Sequence, residues 1–434
     1  MANFCVDPLR EPEKRERRRS IQGNLASLVA GQFVAALSMW LALVALAKLA
    51  DPAAVGVYAL AQAISTPIAE TAKMGLREVR SSDTTAAFRF GDYLGLRLIA
   101  TAVAMVLIAV LAAGQTDTAA IFWVIVLYGV TRCLEMVSDM IFGLFQAHER
   151  MDYIGWSLCL RGPLSLVLLV AGFWLTGSLV GAVIGQVIAH LVVLLGYELP
   201  MGRRRGSTRV TDALRPLWEP AALKALALQA LPLAIASLLV MIATYIPQLT
   251  VERTLGLSDL GYFAALTALA MSPSRLVQSV GVAASVRLAR FYADGDLAQF
   301  VRLLGGIALA VAALGAVGVL ISTALGKTIL SVVYTSDYAE HGQLLTWLVA
   351  AAAVRFVSDV LQAGMIASRR FWWLTVQYGS VALVAIVACF AFIPRLGLLG
   401  AGVAMLTIYG AQVLFVLLGL ARSLRATRID GAAP

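Results

Sequence analysis

The chain has 434 residues, of which 60% are hydrophobic and 14% charged, with a formal net charge of +9 and a mean hydropathy of +0.84. Apolar runs of about 18 or more residues recur along nearly its whole length, which excludes a soluble globular protein and favours a polytopic α-helical membrane protein. The four cysteines form no metal-binding or disulfide motif, and the sequence predicts no cofactor, metal or catalytic residue.

The apolar runs predict twelve transmembrane helices. In chain order, their spans are 22–48, 54–75, 92–113, 119–145, 154–175, 178–199, 224–250, 259–288, 301–324, 340–367, 371–393 and 397–421. Residues 1–21 form a basic tail that is expected to be cytoplasmic, and we expect the first helix to be an uncleaved anchor. The longest external connection is predicted at about 324–339.

The distribution of Lys and Arg predicts the orientation. With the N-terminus in the cytoplasm, 26 of the 34 basic residues fall in predicted cytoplasmic segments. The external ends of the helices contain four, namely Lys48, Arg253, Lys327 and Arg395. This bias agrees with the positive-inside rule and places both termini in the cytoplasm. The positive charge therefore reflects cytoplasmic loops, and no nucleic-acid partner is expected.

The chain divides near its midpoint into two similar halves. A cytoplasmic linker rich in Pro, Gly and Arg is predicted at 200–223, between bundles at 22–199 and 224–421, and residues 422–434 form a second cytoplasmic tail. At an offset of 220 residues, "MVSDMIFGLFQAHER" matches "FVSDVLQAGMIASRR" at five of fifteen positions. The predicted fold is an all-α polytopic membrane protein whose twelve transmembrane helices form two parallel-repeat six-helix bundles around a central cavity.

Charged residues within the predicted spans are candidates for the functional site. Arg132, Glu135 and Asp139 share one face of the fourth helix, and Arg355 and Asp359 lie at i, i+4 on the tenth. Each charge at bilayer depth costs roughly 2.5–3.5 kcal/mol. One interpretation is structural, with same-helix ion pairs that fix the packing of helices.

The alternative, which we favour, is a hydrated basic cavity. Four arginines lie in the middle part of predicted spans, namely Arg132, Arg161, Arg275 and Arg355. Arginine stays charged and presents a planar fork of donors that suits phosphate oxygens. Glu70, Lys73 and Arg77 form another charged stripe at the inner end of the second helix. His190 is predicted to line the cavity or form a hydrogen bond, and a proton relay is the alternative.

The sequence resembles the polysaccharide-repeat-unit flippases (Wzx-type, lipopolysaccharide biosynthesis proteins) of the multidrug/oligosaccharidyl-lipid/polysaccharide exporter superfamily. The resemblance covers nearly the whole chain and rests on two six-helix halves, the basic mid-chain loop and two related segments. These are "DPAAVGVYALAQAISTPIAETAKMGLRE" at 51–78 and "SDLGYFAALTALAMSPSRLVQSVG" at 258–281. Both segments resemble the family's pattern of an external turn, a glycine and tyrosine, and an apolar helix with a proline.

The resemblance implies a non-enzymatic flippase that moves an undecaprenyl-pyrophosphate-linked oligosaccharide, such as an O-antigen unit, across the bacterial plasma membrane by alternating access. We expect pyrophosphate or acidic-sugar contacts from Arg132, Arg161, Arg275 and Arg355. Orientation of those arginines, or proton coupling, is expected from Glu70, Glu135, Asp139 and Asp359. Expected partners are the lipid-linked substrate, membrane lipids, a polysaccharide polymerase and a chain-length regulator.

Two other functions are consistent with parts of the sequence. An ion-coupled multidrug exporter of the same superfamily is the first, but relatives of that kind often carry an acidic site in the first helix, and residues 22–47 contain no acidic residue. A membrane-bound polysaccharide polymerase is the second, but such enzymes commonly need a large external loop, and the predicted external loops are short.

Overall fold

The structure is a computed structural model that describes residues 10–82, 88–115, 118–204, 215–368 and 371–430. Within these ranges the regular secondary structure is entirely helical. In the N-terminal half the helices are α1 (Arg10–Leu49), α2 (Pro52–Ala72), α3 (Leu76–Ser82), α4 (Phe90–Gln115), α5 (Ala119–Ala147), α6 (Met151–Thr176), α7 (Leu179–Val193) and α8 (Leu199–Arg204). A π-helical turn at Leu194–Glu198 joins the last two.

The C-terminal half is built in the same way from long apolar helices. They are α9 (Pro220–Leu255), α10 (Leu257–Met271), α11 (Ser274–Ala293), α12 (Leu297–Val333), α13 (Ser336–Ala339), α14 (Gly342–Ala367) and α15 (Phe371–Asp430). The boundary predicted at 200–223 stays a prediction, because residues 205–214 lie outside the described ranges.

Local sequence signals explain where several helices begin and end. Asp51 caps α2, with its carboxylate accepting a hydrogen bond of 2.9 Å from the backbone N–H of Ala54, and Pro52 occupies the first helical turn. Gly177 ends α6 in the left-handed region, at φ 63°, and the Ser178 hydroxyl then caps α7. These signals place the predicted external turns after α1 and α6.

Ten helical segments among the described residues are long and apolar enough to cross a membrane, so the exact count of twelve stays a prediction. The span predicted at 259–288 is not one continuous helix, because α10 ends at Met271 and α11 begins at Ser274, with Pro273 between them. The two spans predicted at 371–393 and 397–421 are joined in α15, which has a non-helical kink at Gly397 (φ 61°, ψ −141°).

The expected external connection at 324–339 was wrong in extent. Helix α12 continues to Val333, and only the single-turn α13 separates it from α14. Residues 324–333 contain no proline, and Gly326 lets the backbone of α12 approach Gly342. The Lys48 ammonium donates a hydrogen bond of 3.1 Å to the carbonyl oxygen of Val332, which satisfies one of the free carbonyls at the end of α12.

The main contacts between the two halves are made by α2, which packs against α9 and α10. Helix α4 also contacts α9, and α1 contacts α10 and α11. Other close packing lies within one half, such as α1 with α6, α4 with α5, α12 with α14, and α14 with α15. Because α2 and α10 both follow predicted external turns, the halves meet there and leave a cavity deeper in the bundle.

Candidate functional site, a charged cavity

A cavity of about 680 Å³ lies between the two halves. Its walls come from α1, α2, α3, α5, α6 and α7 on one side and from α9 and α14 on the other. The charged side chains that line it are Glu70, Lys73, Arg77, Arg132, Glu135, Asp139, Arg161 and Arg355. Five of these are cations and three are carboxylates, so the described wall of the cavity carries an excess of positive charge.

Arg132 and Glu135 form a bidentate ion pair at the middle of α5, with nitrogen–oxygen distances of 2.8 and 3.1 Å. The second partner of Glu135 is His190 of α7, whose Nε2 lies 3.1 Å from the carboxylate. Its Nδ1 lies 2.9 Å from the carbonyl oxygen of Gln186. Both ring nitrogens of His190 therefore lie within hydrogen-bond distance of oxygen atoms, which fixes the orientation of the ring.

Asp139, one turn further along α5, binds two arginines from other helices. Its carboxylate lies 3.1 Å from Arg97 Nη2 of α4 and 3.5 Å from Arg77 Nη1 of α3. The Arg97 side chain is 0% exposed, although it lies near the predicted cytoplasmic end of the span at 92–113. Asp139 was expected to orient the arginines within the spans, and the structure pairs it instead with two arginines near the predicted inner surface.

Arg161 of α6 differs from the other cations of the cavity. No ion pair to it occurs in the part of the chain that the structure describes. Its guanidinium carbon lies 5.7 Å from the centroid of the Phe142 ring, a cation–π distance. Arg161 therefore keeps its hydrogen-bond donors available to a molecule in the cavity.

Arg355 is the contribution of the C-terminal half to the charged wall. Its Nη1 donates a hydrogen bond of 3.0 Å to the Tyr409 hydroxyl, and its Nε lies 3.9 Å from a carboxylate oxygen of Asp359. That Nε is buried and has no hydrogen-bond partner in the structure. Arg355 also lines a smaller cavity of about 60 Å³ with Thr244 and Gln377, so it stands where the two cavities meet.

Six of the eight predicted site residues line the main cavity, namely Glu70, Arg132, Glu135, Asp139, Arg161 and Arg355. Asp359 does not line it and lies beside Arg355. Arg275 lies in the first turn of α11, and its side chain is outside the described part of the structure. Glu70 makes a 2.6 Å ion pair with Lys73 at the predicted inner end of α2.

Sequence reasoning missed the neutral polar residues of the cavity and the burial of Arg97. The Tyr58 hydroxyl donates a hydrogen bond of 3.3 Å to the Gln186 side chain, and both residues line the cavity, as does Tyr245. An isolated polar residue in an apolar span gives only weak evidence, from sequence alone, that its side chain lines a cavity. Arg97 gave a stronger signal of a buried charge, because it lies more than one turn inside the span predicted at 92–113 and residues 98–113 are uncharged.

The comparison that decides the family is with the polysaccharide biosynthesis proteins, whose sequence profile matches residues 21–286. The chain belongs to this family. The capsular polysaccharide biosynthesis protein CapF of Staphylococcus aureus is 24% identical over 387 residues, which cover 87% of this chain and 93% of that protein. Because that relative is a capsular protein, an O-antigen substrate stays a prediction for this family member.

Solved structures show the fold that this family member shares. Lipid II flippase MurJ, in an inward closed conformation, is 11% identical with a TM-score of 0.68, over 93% of this chain and 90% of that chain. The Vibrio cholerae MATE transporter VcmN, in its bent form, is 14% identical with a TM-score of 0.58, over 95% and 98%. A multidrug resistance MATE transporter of the MOP superfamily, in an outward-facing conformation, is 12% identical with a TM-score of 0.55, over 96% and 97%. The chain therefore shares the fold of these proteins, which has two lobes of membrane-spanning helices.

Proposed function

We propose that this member of the polysaccharide biosynthesis family is a flippase that moves an undecaprenyl-pyrophosphate-linked oligosaccharide from the inner to the outer leaflet of the bacterial plasma membrane. The observation that carries the proposal is the 680 Å³ cavity between the two lobes, whose lining has more cations than carboxylates. The family and the shared fold support a transporter rather than an enzyme.

The physical problem for such a substrate is its head group. Sugar hydroxyls and a charged pyrophosphate lose their hydrogen bonds with water when they enter hydrocarbon, at a cost of several kcal/mol for each unpaired group. A polar cavity replaces those bonds. The lipid chain needs no such replacement and remains in the apolar phase, so the protein has to enclose only the head group.

The arrangement of ion pairs suggests different tasks for the arginines. Arg161 has no carboxylate partner in the described structure, so it supplies the first contact to the pyrophosphate. Arg355 adds a second contact from the other lobe. Arg132 is held by Glu135 and contributes positive potential at the middle of the cavity. Arg275 stays a candidate from the sequence.

Transport then requires the two lobes to alternate between opening to the inner and outer surface. The distribution of basic residues predicts that both termini and the linker are cytoplasmic, which places Lys73 and Arg77 at the entrance from the inner leaflet. A polymerase and a chain-length regulator on the outer side are the expected next users of the product.

An ion-coupled multidrug exporter is the alternative, because multidrug transporters are among the structures that share the fold. The excess of positive charge in the cavity opposes binding of the cationic compounds that such an exporter would remove. A membrane-bound polymerase is less favoured, because it does not account for a cavity between two lobes.

The test is leaflet transfer of a fluorescent undecaprenyl-pyrophosphate oligosaccharide in proteoliposomes. We expect transfer by the wild type and a loss of about tenfold in Arg161→Gln, since a hydrogen bond to a charged group contributes roughly 1.5–3 kcal/mol. Arg302→Gln, at an exposed arginine of α12, is the matched control and should transfer normally. Absence of transfer by the wild type, together with efflux of a cationic dye, would support the multidrug exporter instead.

A further inference from the structure

A second, smaller cavity lies inside the C-terminal lobe and adjoins the charged cavity. It has a volume of about 60 Å³, and its walls come from α9, α14 and α15. Val240, Thr244 and Arg355 line both cavities. The small cavity therefore lies beside the part of the charged cavity in which Arg355 is expected to contact the substrate.

Gln377 of α15 contributes a buried amide to the small cavity. It is 1% exposed, and neither its Oε1 nor its Nε2 has a hydrogen-bond partner among the residues that the structure describes. Buried polar groups are almost always hydrogen-bonded, because an unpaired one is destabilising. Gln377 therefore offers an acceptor and a donor to a ligand, and this holds whichever way its amide is turned.

The rest of the lining has a polar part and an apolar part. The polar part includes Arg355, whose buried Nε also lacks a hydrogen-bond partner in the described structure, and Tyr409, whose hydroxyl accepts a hydrogen bond from Arg355 Nη1. The apolar part includes Ala243, Val381 and Ile408. A ligand that matches this lining has a hydrogen-bond donor, an acceptor and a small apolar end.

These requirements distinguish between the polar groups that a sugar carries. A carboxylate only accepts hydrogen bonds, so it would leave the oxygen of the Gln377 amide unpaired. A hydroxyl group can donate and accept, but it has no apolar end for the wall that contains Val381 and Ile408. An acetamido group has an N–H, a carbonyl oxygen and a methyl group, so it matches both parts of the lining.

We propose that the small cavity binds the acetamido group of an N-acetylated sugar and that Gln377 recognises this group through paired amide hydrogen bonds. The inference rests on the proposed function and adds the class of sugar. The substituent on carbon 2 of a sugar lies next to the phosphate on carbon 1. A sugar whose pyrophosphate contacts Arg355 therefore brings a 2-acetamido group to the small cavity, so the sugar that Gln377 recognises is the one attached to the lipid.

Water is the other occupant that the small cavity can hold. A volume of about 60 Å³ is sufficient for water molecules, and the amide of Gln377 supplies polar partners for them. An acetamido group that displaces this water replaces its hydrogen bonds. A sugar with a hydroxyl on carbon 2 lacks these contacts, so the affinities for the two sugars distinguish the two occupants.

The experiment compares two probes that differ only at carbon 2, farnesyl-pyrophosphoryl N-acetylglucosamine and farnesyl-pyrophosphoryl glucose. Binding of each probe, and of inorganic pyrophosphate, is measured for the full chain in nanodiscs. We expect the wild type to bind the N-acetylated probe about tenfold more tightly, because a site with buried polar groups discriminates against a ligand that leaves them unpaired.

Two variants and a control test whether the small cavity causes this preference. Gln377→Leu removes the amide, and Ala243→Val fills the small cavity at a residue that does not line the charged cavity. Each variant should bring the ratio of the two affinities close to one, and Ala243→Val carries the test if Gln377→Leu does not fold. Gln362→Leu is the matched control, because the Gln362 amide nitrogen is also buried and unpaired among the described residues but lines neither cavity. This control should keep the tenfold preference.

The outcomes separate this inference from the proposed function. Equal affinity of the wild type for the two sugar probes would overturn the acetamido site, leave the charged cavity as the pyrophosphate site, and assign only water to the small cavity. A preference that persists in both Gln377→Leu and Ala243→Val would overturn the site as well, because the sugar would then be recognised elsewhere. A wild type that binds neither probe nor inorganic pyrophosphate would overturn the proposed function, and the acetamido site with it.

Discussion

Gly56 of α2 and Gly261 of α10 make reciprocal contacts across the interface between the two lobes. A Cβ atom at Gly56 would lie 1.8 Å from the carbonyl oxygen of Leu257, and one at Gly261 would lie 1.9 Å from the carbonyl oxygen of Pro52. The spacing from Pro52 to Gly56 equals that from Leu257 to Gly261. The two lobes therefore contact each other through equivalent first turns of α2 and α10. This pseudo-symmetric contact closes the predicted external end of the cavity.

The first prediction concerns this contact. Gly56→Ala or Gly261→Ala places a methyl group against rigid backbone, so we expect it to destabilise the closed external interface by ~1–3 kcal/mol. Pulsed electron paramagnetic resonance between spin labels at Ala53 and Ser258 would then report a longer distance. Gly305→Ala, where a Cβ meets nothing within 4 Å, is the control and should leave the distance unchanged. Unchanged distances in both glycine variants would show that the interface can absorb the methyl group.

The sequence predicted the helical membrane fold, because long apolar runs have few alternatives. It also predicted that Arg132 and Glu135 share a face of α5, because same-helix neighbours follow from helical periodicity. The partners of Asp139 were not predictable in this way. Arg97 lies 42 residues earlier on another helix, and no local rule specifies which helices pack together.

Some helix boundaries follow from the local sequence, and others depend on contacts with distant parts of the chain. The caps at Asp51 and Ser178 follow from residue type and were close to the predicted starts. The sequence predicted one span at 259–288, and the structure separates two helices there at Pro273. The extension of α12 to Val333 depends on its packing against α14 at Gly342, which the sequence does not display.

The second prediction concerns the buried arginine of α4. Asp139→Asn removes the carboxylate that faces Arg97, whose side chain is 0% exposed. An uncompensated buried charge costs ~3–5 kcal/mol, so we expect a marked fall in the thermal denaturation midpoint of the purified protein. Glu70→Gln is the comparison, because its pair with Lys73 is 21–32% exposed and contributes ~1 kcal/mol or less.

A double substitution separates charge from packing in this cluster. Arg97→Leu combined with Asp139→Leu removes both charges and should recover most of the stability lost in Asp139→Asn. If the double variant is less stable than Asp139→Asn, the cluster stabilises the fold through hydrogen bonds of Arg77 and Gln146 rather than by neutralising Arg97.

The third prediction is a pH dependence at the predicted external end. Burial lowers the pKa of His341, and the carboxylates of Asp259 and Glu340 offset part of that effect. The imidazole lies 4.3 Å from the Tyr262 ring, centroid to centroid. Protonated His341 is therefore less favourable in the folded than in the unfolded protein. Above the unfolded pKa of about 6.5 the imidazole is neutral in both states and does not affect stability. As the pH drops below that value, the free energy of unfolding falls.

Thermal denaturation between pH 8 and pH 5, in about half-unit steps, tests this dependence, because a lowered pKa makes the unfolded state bind more protons. We expect the midpoint to fall more steeply for the wild type than for His341→Gln. Parallel curves for the two proteins would assign the acid sensitivity to other groups.

The fourth prediction separates Arg161 from Arg132 by their effects on stability and binding. Arg132→Gln leaves Glu135 with His190 as its remaining partner, so both the denaturation midpoint and the affinity for inorganic pyrophosphate should fall. Arg161→Gln breaks no ion pair in the described structure. Its free energy of unfolding should therefore stay within about 0.5 kcal/mol of the wild-type value, and its denaturation midpoint should change little. Its affinity for pyrophosphate should nonetheless fall about tenfold.

Arg161→Lys refines this comparison, because lysine keeps the charge and lacks the planar fork of the guanidinium. We expect Arg161→Lys to recover part of the pyrophosphate affinity lost in Arg161→Gln. Its transport rate should remain below that of the wild type. Full recovery would show that Arg161 acts through its charge alone. A large loss of stability in Arg161→Gln would instead assign Arg161 to helix packing against Phe142, and would leave Arg355 as the principal cation for the head group.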